Sequence, residues 1–575
     1  MNGGELVARV LAEHGVKFLF TLCGGHISPI LVESKRLGLR VIDVRHEANA
    51  VFAADAVARL SGVPGVAAVT AGPGVTNTVT AVKNAQLAQS PLVLLGGATA
   101  TVLKDRGSLQ DIDQMALMRP HVKWARAARR VREIVPLLKH AFVVAQEGVP
   151  GPVFVELPLD LLYDEALVRQ MYGAGGDGKS LAQRAQQAYL GWHAGRLFSG
   201  VGEPDAAPSA PPLRTLVASR QVRQAARAVA KAKRPLMVIG SQATLEAEAI
   251  DEVASAVESL GVPVYLSGMA RGLLGKGHRL QRRHQRRQAL READLVLLAG
   301  VPSDFRLDYG RHVRSDARLL AVNRSPVDLV KNRRPNLAML GDPGRFLRDL
   351  GGCVEIDPDA IGEWLETLAE RDAEREADID ERARKGGRYI NPLQLFRELD
   401  PLLTDDTILV ADGGDFVATA SYTLSPRGPL SWLDPGVFGT LGVGGGFALG
   451  AQLCRPEAEV WILYGDGSAA YSLAEFDTFV RHQLPIYALV GTDGSWGQIA
   501  REQIEVLKDD VGTVLRRTNY QTVAEGYGGR GFLLDDSKMI APTLQAARAA
   551  HKVGKPVLIN ALLATTDFRK GSISM

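Results

Sequence analysis

Cysteine is nearly absent: Cys23, Cys353 and Cys454 are the only three in 575 residues, far apart and odd in number. They form neither a disulfide framework nor a Cys-x-x-Cys metal knuckle, and a reducing, cytoplasmic setting is expected. Long apolar runs are missing too. No stretch of about 18 apolar residues exists to span a bilayer, and Met1 to Val10 lacks the basic and apolar regions of a signal peptide, so neither membrane insertion nor export is expected. Charge of one sign is also scarce, since 67 basic residues face 64 acidic ones for a formal net charge of +3. No long-range field would hold the whole protein on nucleic acid or a membrane surface, and neither is expected as a partner.

What is present is an ordinary globular composition, 46% hydrophobic and 23% charged. A chain of this length exceeds one hydrophobic core, and three domains are expected. From residue 1 to 172, helix-period stretches alternate with β-branched runs at Phe18–Leu22, Val41–Val44, Val66–Val69, Leu92–Leu95 and Val153–Glu156, which predicts a parallel sheet flanked by helices. Residues 173–215 turn to Gly, Ala, Ser, Asp and Pro, including Pro204, Pro208, Pro211 and Pro212, and read as a linker with one helical insert. A second α/β domain is expected over 216–350, with strands at Pro235–Ile239, Leu295–Leu298 and Leu319–Val322. A charge-rich helical connector over 351–390, solvated between domains, leads to a third α/β domain over 391–575. Its strands are placed at Thr407–Val410, Val460–Tyr464, Ile486–Val490 and Val557–Asn560.

The strongest chemical signal lies in that third domain. The run Val460–Tyr464 enters Gly465-Asp466-Gly467-Ser468, and a second strand ends at Gly491-Thr492-Asp493. A crossover helix between them places Asp466 and Asp493, 27 residues apart, at the carboxyl edge of one sheet, where open α/β sheets bind ligands. Gly465 and Gly467 permit a tight turn close to an anion, and the following helix presents free N–H groups. Alone, a Gly-Asp-Gly triplet is most often a plain turn; the spacing to the second strand end lifts it. The arrangement suits a diphosphate with a hard cation. Magnesium would find six oxygens in the two carboxylates, a backbone carbonyl near Ser495, two diphosphate oxygens and a water.

With Gly465-Asp466-Gly467 followed 27 residues on by Asp493, the sequence resembles the thiamine-diphosphate-dependent superfamily of acetolactate synthases, benzaldehyde lyases and 2-hydroxyacyl-CoA lyases. The family's second ligand is commonly Asn, so Asp493 departs from the pattern while remaining a legitimate magnesium ligand. The resemblance implies pyrimidine-binding, central and diphosphate-binding domains. It assigns the activating carboxylate to Glu47 in Arg45-His46-Glu47, which would hydrogen-bond N1′ of the aminopyrimidine and so promote loss of the thiazolium C2 proton. By itself a Glu at this strand-to-helix junction would simply cap the helix.

In Gly436–Gly444 the resemblance makes Leu441 the prop that bends the cofactor and the Gly439 carbonyl an acceptor for its amino group; otherwise the glycines merely let a helix approach a sheet. Cofactor contacts also fall on Gly72 and Asn77 in the loop Thr70–Asn77, and on Asp415, Gly465, Gly467, Ser468 and Trp496. His26, in Gly24-Gly25-His26, matches the Gly-x-His pattern of benzaldehyde lyase-like enzymes and is a candidate proton shuttle, or an ordinary loop residue. Gln110 is the expected polar partner of the substrate, with Gln114 the alternative in the same loop.

Acetolactate synthases carry Pro-Gly-Gly-Ala after the first strand and Gly-Gln-His-Gln early in the third domain, whereas this chain has Cys23-Gly24-Gly25-His26 and Asp412-Gly413-Gly414-Asp415. The likeness is closer to 2-hydroxyacyl-CoA lyases, through Gly268–Gly275, Trp432–Gly436 and Thr566–Arg569. The implied reaction splits a 2-hydroxyacyl-CoA into an aldehyde and formyl-CoA, or runs the reverse condensation. Carboligation of 2-oxoacids is the alternative, and an inert partner protein built on the cofactor fold is a rival of another class. Thiamine diphosphate and Mg2+ are expected and FAD is not. The resemblance also implies a homodimer or homotetramer. Arg279, Arg282, Arg283, Arg286, Arg287 and Arg291 cluster in the middle domain, either as an exposed basic face or as contacts for CoA phosphates. The tail from Thr565 to Met575 is read either as a cover for the site or as a frayed end.

Overall fold

The computed structural model describes residues 2–173, 180–200, 212–354 and 357–570. Pro204, Pro208 and Pro211 of the linker and the last five residues of the tail lie outside the described residues.

Among the described residues there are three six-stranded sheets, every strand pairing parallel to its neighbours. The first contains β1 (Phe18–Leu22), β2 (Arg40–Asp43), β3 (Gly65–Val69), β4 (Leu92–Ala98), β5 (Trp124–Ala127) and β6 (Pro152–Pro158). The second contains β7 (Pro235–Ile239), β8 (Val264–Leu266), β9 (Gln281–Arg282), β10 (Leu295–Ala299), β11 (Arg318–Asn323) and β12 (Leu337–Leu340). The third contains β13 (Ile408–Ala411), β14 (Trp432–Leu433), β15 (Val460–Gly465), β16 (Tyr487–Thr492), β17 (Arg530–Leu534) and β18 (Val557–Leu562). Near-continuous Val, Ile and Leu runs form the central strands because parallel sheets are covered by helices on both faces; β3, β4, β6, β15 and β16 are buried along their whole length.

The first sheet runs β2-β1-β3-β4-β6-β5 and the third β14-β13-β15-β16-β18-β17, the same order position by position. The second, β12-β11-β10-β7-β8-β9, reads from its other edge as 3-2-1-4-5-6, the doubly wound dinucleotide-binding order. The chain divides into two compact units, one of residues 1–58 and 63–213, the other of 59–62 and 214–575. The first sheet belongs to the former, and the second and third sheets belong to the latter.

The charge-rich helix Gly362–Ala383 forms as expected but is not a solvated spacer. Trp364 and Leu368 enter the core of the second sheet, and the Trp364 indole N–H donates to the Pro235 carbonyl at 3.0 Å. Further along, Ile379 and Ala383 pack with Leu393 and Phe568. Phe568 thereby anchors the described part of the tail, up to Lys570; the rest of the segment expected to be either a cover or a frayed end lies outside the described residues. The linker's helical insert is Leu181–Phe198, opened by a Ser180/Gln183 capping box.

Candidate active site

Each unit presents chemistry at the carboxyl edge of a sheet. In the first unit Glu47 opens the helix Glu47–Ser61 directly after β2. It is 6% exposed, and the Asn77 side-chain amide donates to its Oε2 at 3.0 Å. His26 follows β1 and shares a hydrogen bond of 3.0 Å between Nδ1 and Thr70 Oγ1. Burial lowers its pKa below the ordinary 6.5, so the ring is neutral at pH 7. It sits over Gly97 of β4, where a Cβ would come within 2.6 Å of the His26 Cβ.

Gln110 and Gln114 take different roles. Gln110 adopts the left-handed conformation, φ +63, and its side chain makes no hydrogen bond among the described residues. Gln114 is buried and fully engaged: its Oε1 accepts from the Gly72 N–H at 2.9 Å, and its Nε2 donates to Gly97 O and to Glu156 Oε2, both at 3.0 Å. Gly72, φ +62, lies so close to Gln110 that a Cβ would stand 2.8 Å from its carbonyl oxygen. Gln114 thus ties its own loop to the Gly72 turn and to β4 and β6, and Gln110 is left available.

In the second unit Asp466 and Asp493 lie just beyond β15 and β16, whose register pairs Gly465 with Gly491. Asp466 Oδ1 accepts from the Gly467 N–H at 2.9 Å and Oδ2 from the Gly494 N–H at 2.8 Å, while the Tyr520 hydroxyl donates to the Asp466 carbonyl at 2.9 Å. Asp493 Oδ1 accepts from the Ser495 N–H at 3.0 Å. Burial raises the pKa of Asp466. Burial and then the neighbouring Asp466 charge push Asp493 up to about 7. Two carboxylates forced together beneath the surface are a donor set that a cation would relieve. Among the described residues no group of three or more His, Cys, Asp and Glu gathers for a metal, so other ligands would come from backbone, diphosphate and water. The Ser495 carbonyl accepts no hydrogen bond among the described residues, which leaves both its lone pairs available to a ligand.

The glycines around the aspartates are needed by the protein's own packing. A Cβ on Gly467 would fall 2.5 Å from the Trp496 ring, and one on Gly465 would fall 2.9 Å from Gly413 O. The Ser468 hydroxyl donates to Gly465 O and Gly413 O at 3.1 and 3.2 Å. Leu441 packs on Gly413, and Gly439 turns the preceding chain with φ +64. Asp415 is held by Arg501, with Arg569 at 3.9 Å, and Arg501 also donates to the Arg569 carbonyl at 3.0 Å. The docked tail therefore reaches this edge.

Sequence reasoning missed Asp412. Its wholly buried carboxylate accepts the Gly442 N–H at 2.8 Å and the Gly444 N–H at 2.7 Å, clamping both sides of the turn after Leu441. Burial lifts its pKa to about 7. An Asp at the end of β13 before two glycines was the available signal, but its partners lie 30 residues downstream. The arginine cluster divides. Arg282, Arg283 and Arg286 donate to the carbonyls of Leu365, Tyr422, Leu424 and Arg306 at 2.8 to 3.2 Å, which makes them internal struts, and only Arg279, Arg287 and Arg291 are exposed.

Two sheets of one strand order, one before and one after a dinucleotide-type sheet along the chain, with a carboxylate pair at two neighbouring strand tips, define a three-domain α/β architecture. Family profiles for the N-terminal, central and C-terminal domains of thiamine pyrophosphate enzymes match residues 1–117, 222–350 and 412–561. The chain belongs to the thiamine pyrophosphate enzyme family, and thiamine diphosphate is its cofactor class. It is 52% identical to 2-hydroxyacyl-CoA lyase 2 of Danio rerio, covering 100% of this chain and 93% of that one. Identity to 2-hydroxyacyl-CoA lyase 2 of Homo sapiens is 50%, over 100% and 92% of the two chains. A probable acetolactate synthase of Mycobacterium bovis is 34% identical over 98% and 96%. Among the described residues no helix is long and apolar enough to cross a membrane.

Proposed function

We propose that the protein is a thiamine-diphosphate- and Mg2+-dependent lyase that cleaves 2-hydroxyacyl-CoA to an aldehyde and formyl-CoA, or runs the reverse condensation, as a cytoplasmic homodimer or homotetramer. The observation that carries the cofactor chemistry is the Asp466–Asp493 pair, whose mutual repulsion calls for a divalent cation. The substrate follows the relatives named 2-hydroxyacyl-CoA lyase 2, which match end to end.

Thiamine diphosphate, when bound, supplies a nucleophilic carbon and an electron sink for the bond beside a carbonyl. Asp466, Asp493 and the Ser495 carbonyl hold the magnesium ion. The loops of Gly465, Gly467 and Ser468 seat the diphosphate, beside Trp496 and Asp415. Leu441 and the Gly439 carbonyl orient the heterocycle, and in the first unit Gly72 and Asn77 are the expected cofactor contacts. Glu47, steadied by Asn77, exchanges a proton with the aminopyrimidine ring nitrogen. Cleavage breaks the bond between the thioester carbon and the carbinol carbon. The hydroxyl proton lost is matched by the hydrogen gained at the formyl carbon, and neutral His26 suits that transfer. Gln110 meets the substrate's polar groups.

Incubation of the magnesium-loaded holoenzyme with a 2-hydroxyacyl-CoA should give an aldehyde and formyl-CoA in equal amounts. Acetolactate from pyruvate without CoA, and no thioester cleavage, would replace this reading with the carboligase one.

A further inference from the structure

The first unit holds a cavity of about 1060 Å3 along β5 and past the ends of β4 and β6, reaching the loop that carries Gln110. That volume is at the upper end of the roughly 300–1,000 Å3 usual for small-molecule sites. Its wall carries Lys104, Arg119, Arg126, Arg129 and Arg196 against only Asp111, Glu133 and Glu156.

The acids are already engaged. Glu156 accepts from Gln114 and faces Lys104 at 3.6 Å; Asp111 accepts from the Asp105 N–H at 2.7 Å; Glu133 accepts from the Arg129 N–H at 2.9 Å. Arg119, Arg126, Arg129 and Arg196 make no ion pair with a carboxylate among the described residues. Four guanidinium groups with no carboxylate bonded to them among the described residues, in a concavity whose wall carries five cationic side chains against three acidic ones, suit phosphate, which they grip bidentately. The same wall offers a flat apolar surface: Trp124, packed edge-on against His140 at 5.2 Å, with Leu137 and Leu197 beside it. An aromatic face next to unpaired arginines is the chemistry of a phosphorylated nucleoside site.

Resting on the CoA-thioester reading above, we infer that this cavity binds the 3′-phosphoadenosine diphosphate end of CoA. Gln110 lines the same cavity, so the thioester arm leaves the nucleotide toward the loop expected to meet the reacting carbonyl. The middle-domain arginines are a poorer phosphate site, because three of the six are already committed to carbonyls.

The test is calorimetric titration of the holoenzyme with CoA, adenosine 3′,5′-bisphosphate and ADP, together with the KM for a 2-hydroxyacyl-CoA. The double variant R126Q/R129Q should weaken CoA and adenosine 3′,5′-bisphosphate binding and raise that KM by about tenfold or more, as expected for lost charge-assisted contacts. Its affinity for thiamine diphosphate should be unaltered. R196Q, which lines the same cavity, should act in the same direction and serves if the double variant does not fold. The exposed pair R287Q/R291Q should change neither constant. Unchanged CoA affinity in R126Q/R129Q and R196Q overturns the proposal. So does ADP binding as tightly as CoA with the thioester KM untouched, which would mark an effector site. Failure of the functional reading appears separately, as a wild-type holoenzyme that cleaves no 2-hydroxyacyl-CoA, and takes this proposal with it.

Discussion

The first and third sheets are wound in the same strand order, yet their carboxyl edges differ in how many polar atoms the protein has already used. The first edge is open, with a large cavity, unpaired arginines and a Gln110 whose side chain has no partner among the described residues. The third edge is closed on itself, since Asp412, Asp466 and Asp493 each accept N–H groups from neighbouring loops and hold the backbone in place. The topology decides where a ligand can sit. Whether the edge receives a varied molecule or grips one charged group is decided by how many of its polar atoms the protein has already used. The middle sheet makes the same point: its strand order is that of nucleotide binders, but half of its arginine cluster is spent on carbonyls.

The sharpest way to break this comparison is to remove Glu47, the proposed proton-exchanging carboxylate of the first edge. Glu47→Gln keeps the shape and the Asn77 contact but cannot exchange a proton, and turnover should fall by about a thousandfold, within the range for lost general acid–base catalysis. Unchanged circular dichroism and melting would show that the fold survives. Activity within a few-fold of wild type would remove the proton-transfer role. On the closed edge, Asp466→Ala should weaken magnesium-dependent retention of thiamine diphosphate by roughly a hundredfold, at or above the loss seen when a ligand's supporting partner is removed. Cofactor measured after gel filtration with and without Mg2+ checks this, and retention indifferent to metal would contradict the coordination.

Most of the central strands were legible because buried parallel strands are continuous apolar runs. Of the six strands not foreseen, β5, β9, β12, β14 and β17 are sheet edges; β14 is buried but only two residues long, and the others are half exposed, so none carries such a run. β8 is only three residues long. Site residues followed a similar division. Asp466 and Asp493 announce themselves because strand, turn and spacing are local in sequence. Asp412 and Gln114 act through partners dozens of residues away, and Gln114 stood in the sequence only as the alternative to Gln110. The acidic stretch of Gly362–Ala383 misled for a further reason: four buried residues in 22 suffice to seat a helix whose other faces are charged.

Asp412 offers a finer probe of the closed edge. Asp412→Asn can accept with one oxygen only and sets an amide NH2 against a backbone N–H, so about 1–3 kcal/mol of stability should be lost, the usual cost of a buried unmade hydrogen bond. Retention of thiamine diphosphate should fall with it, by about tenfold, as the turn after Leu441 loosens.

The pH dependence of that difference tests the cause. Asp412 has its folded pKa lifted from 3.8 to about 7, so between those values the folded state holds more protons than the unfolded one. Its contribution to stability therefore falls as pH rises through this window and is level above it. Half-buried His26, His193, His312 and His551, with lowered pKa values, pull the opposite way, but their effect cancels between wild type and variant. Urea midpoints of cofactor-free protein from pH 5 to 8 should show the advantage of Asp412 over Asn shrinking toward pH 7. A difference that stays constant would mean the carboxyl is ionised throughout and that the two glycine N–H groups outweigh its burial.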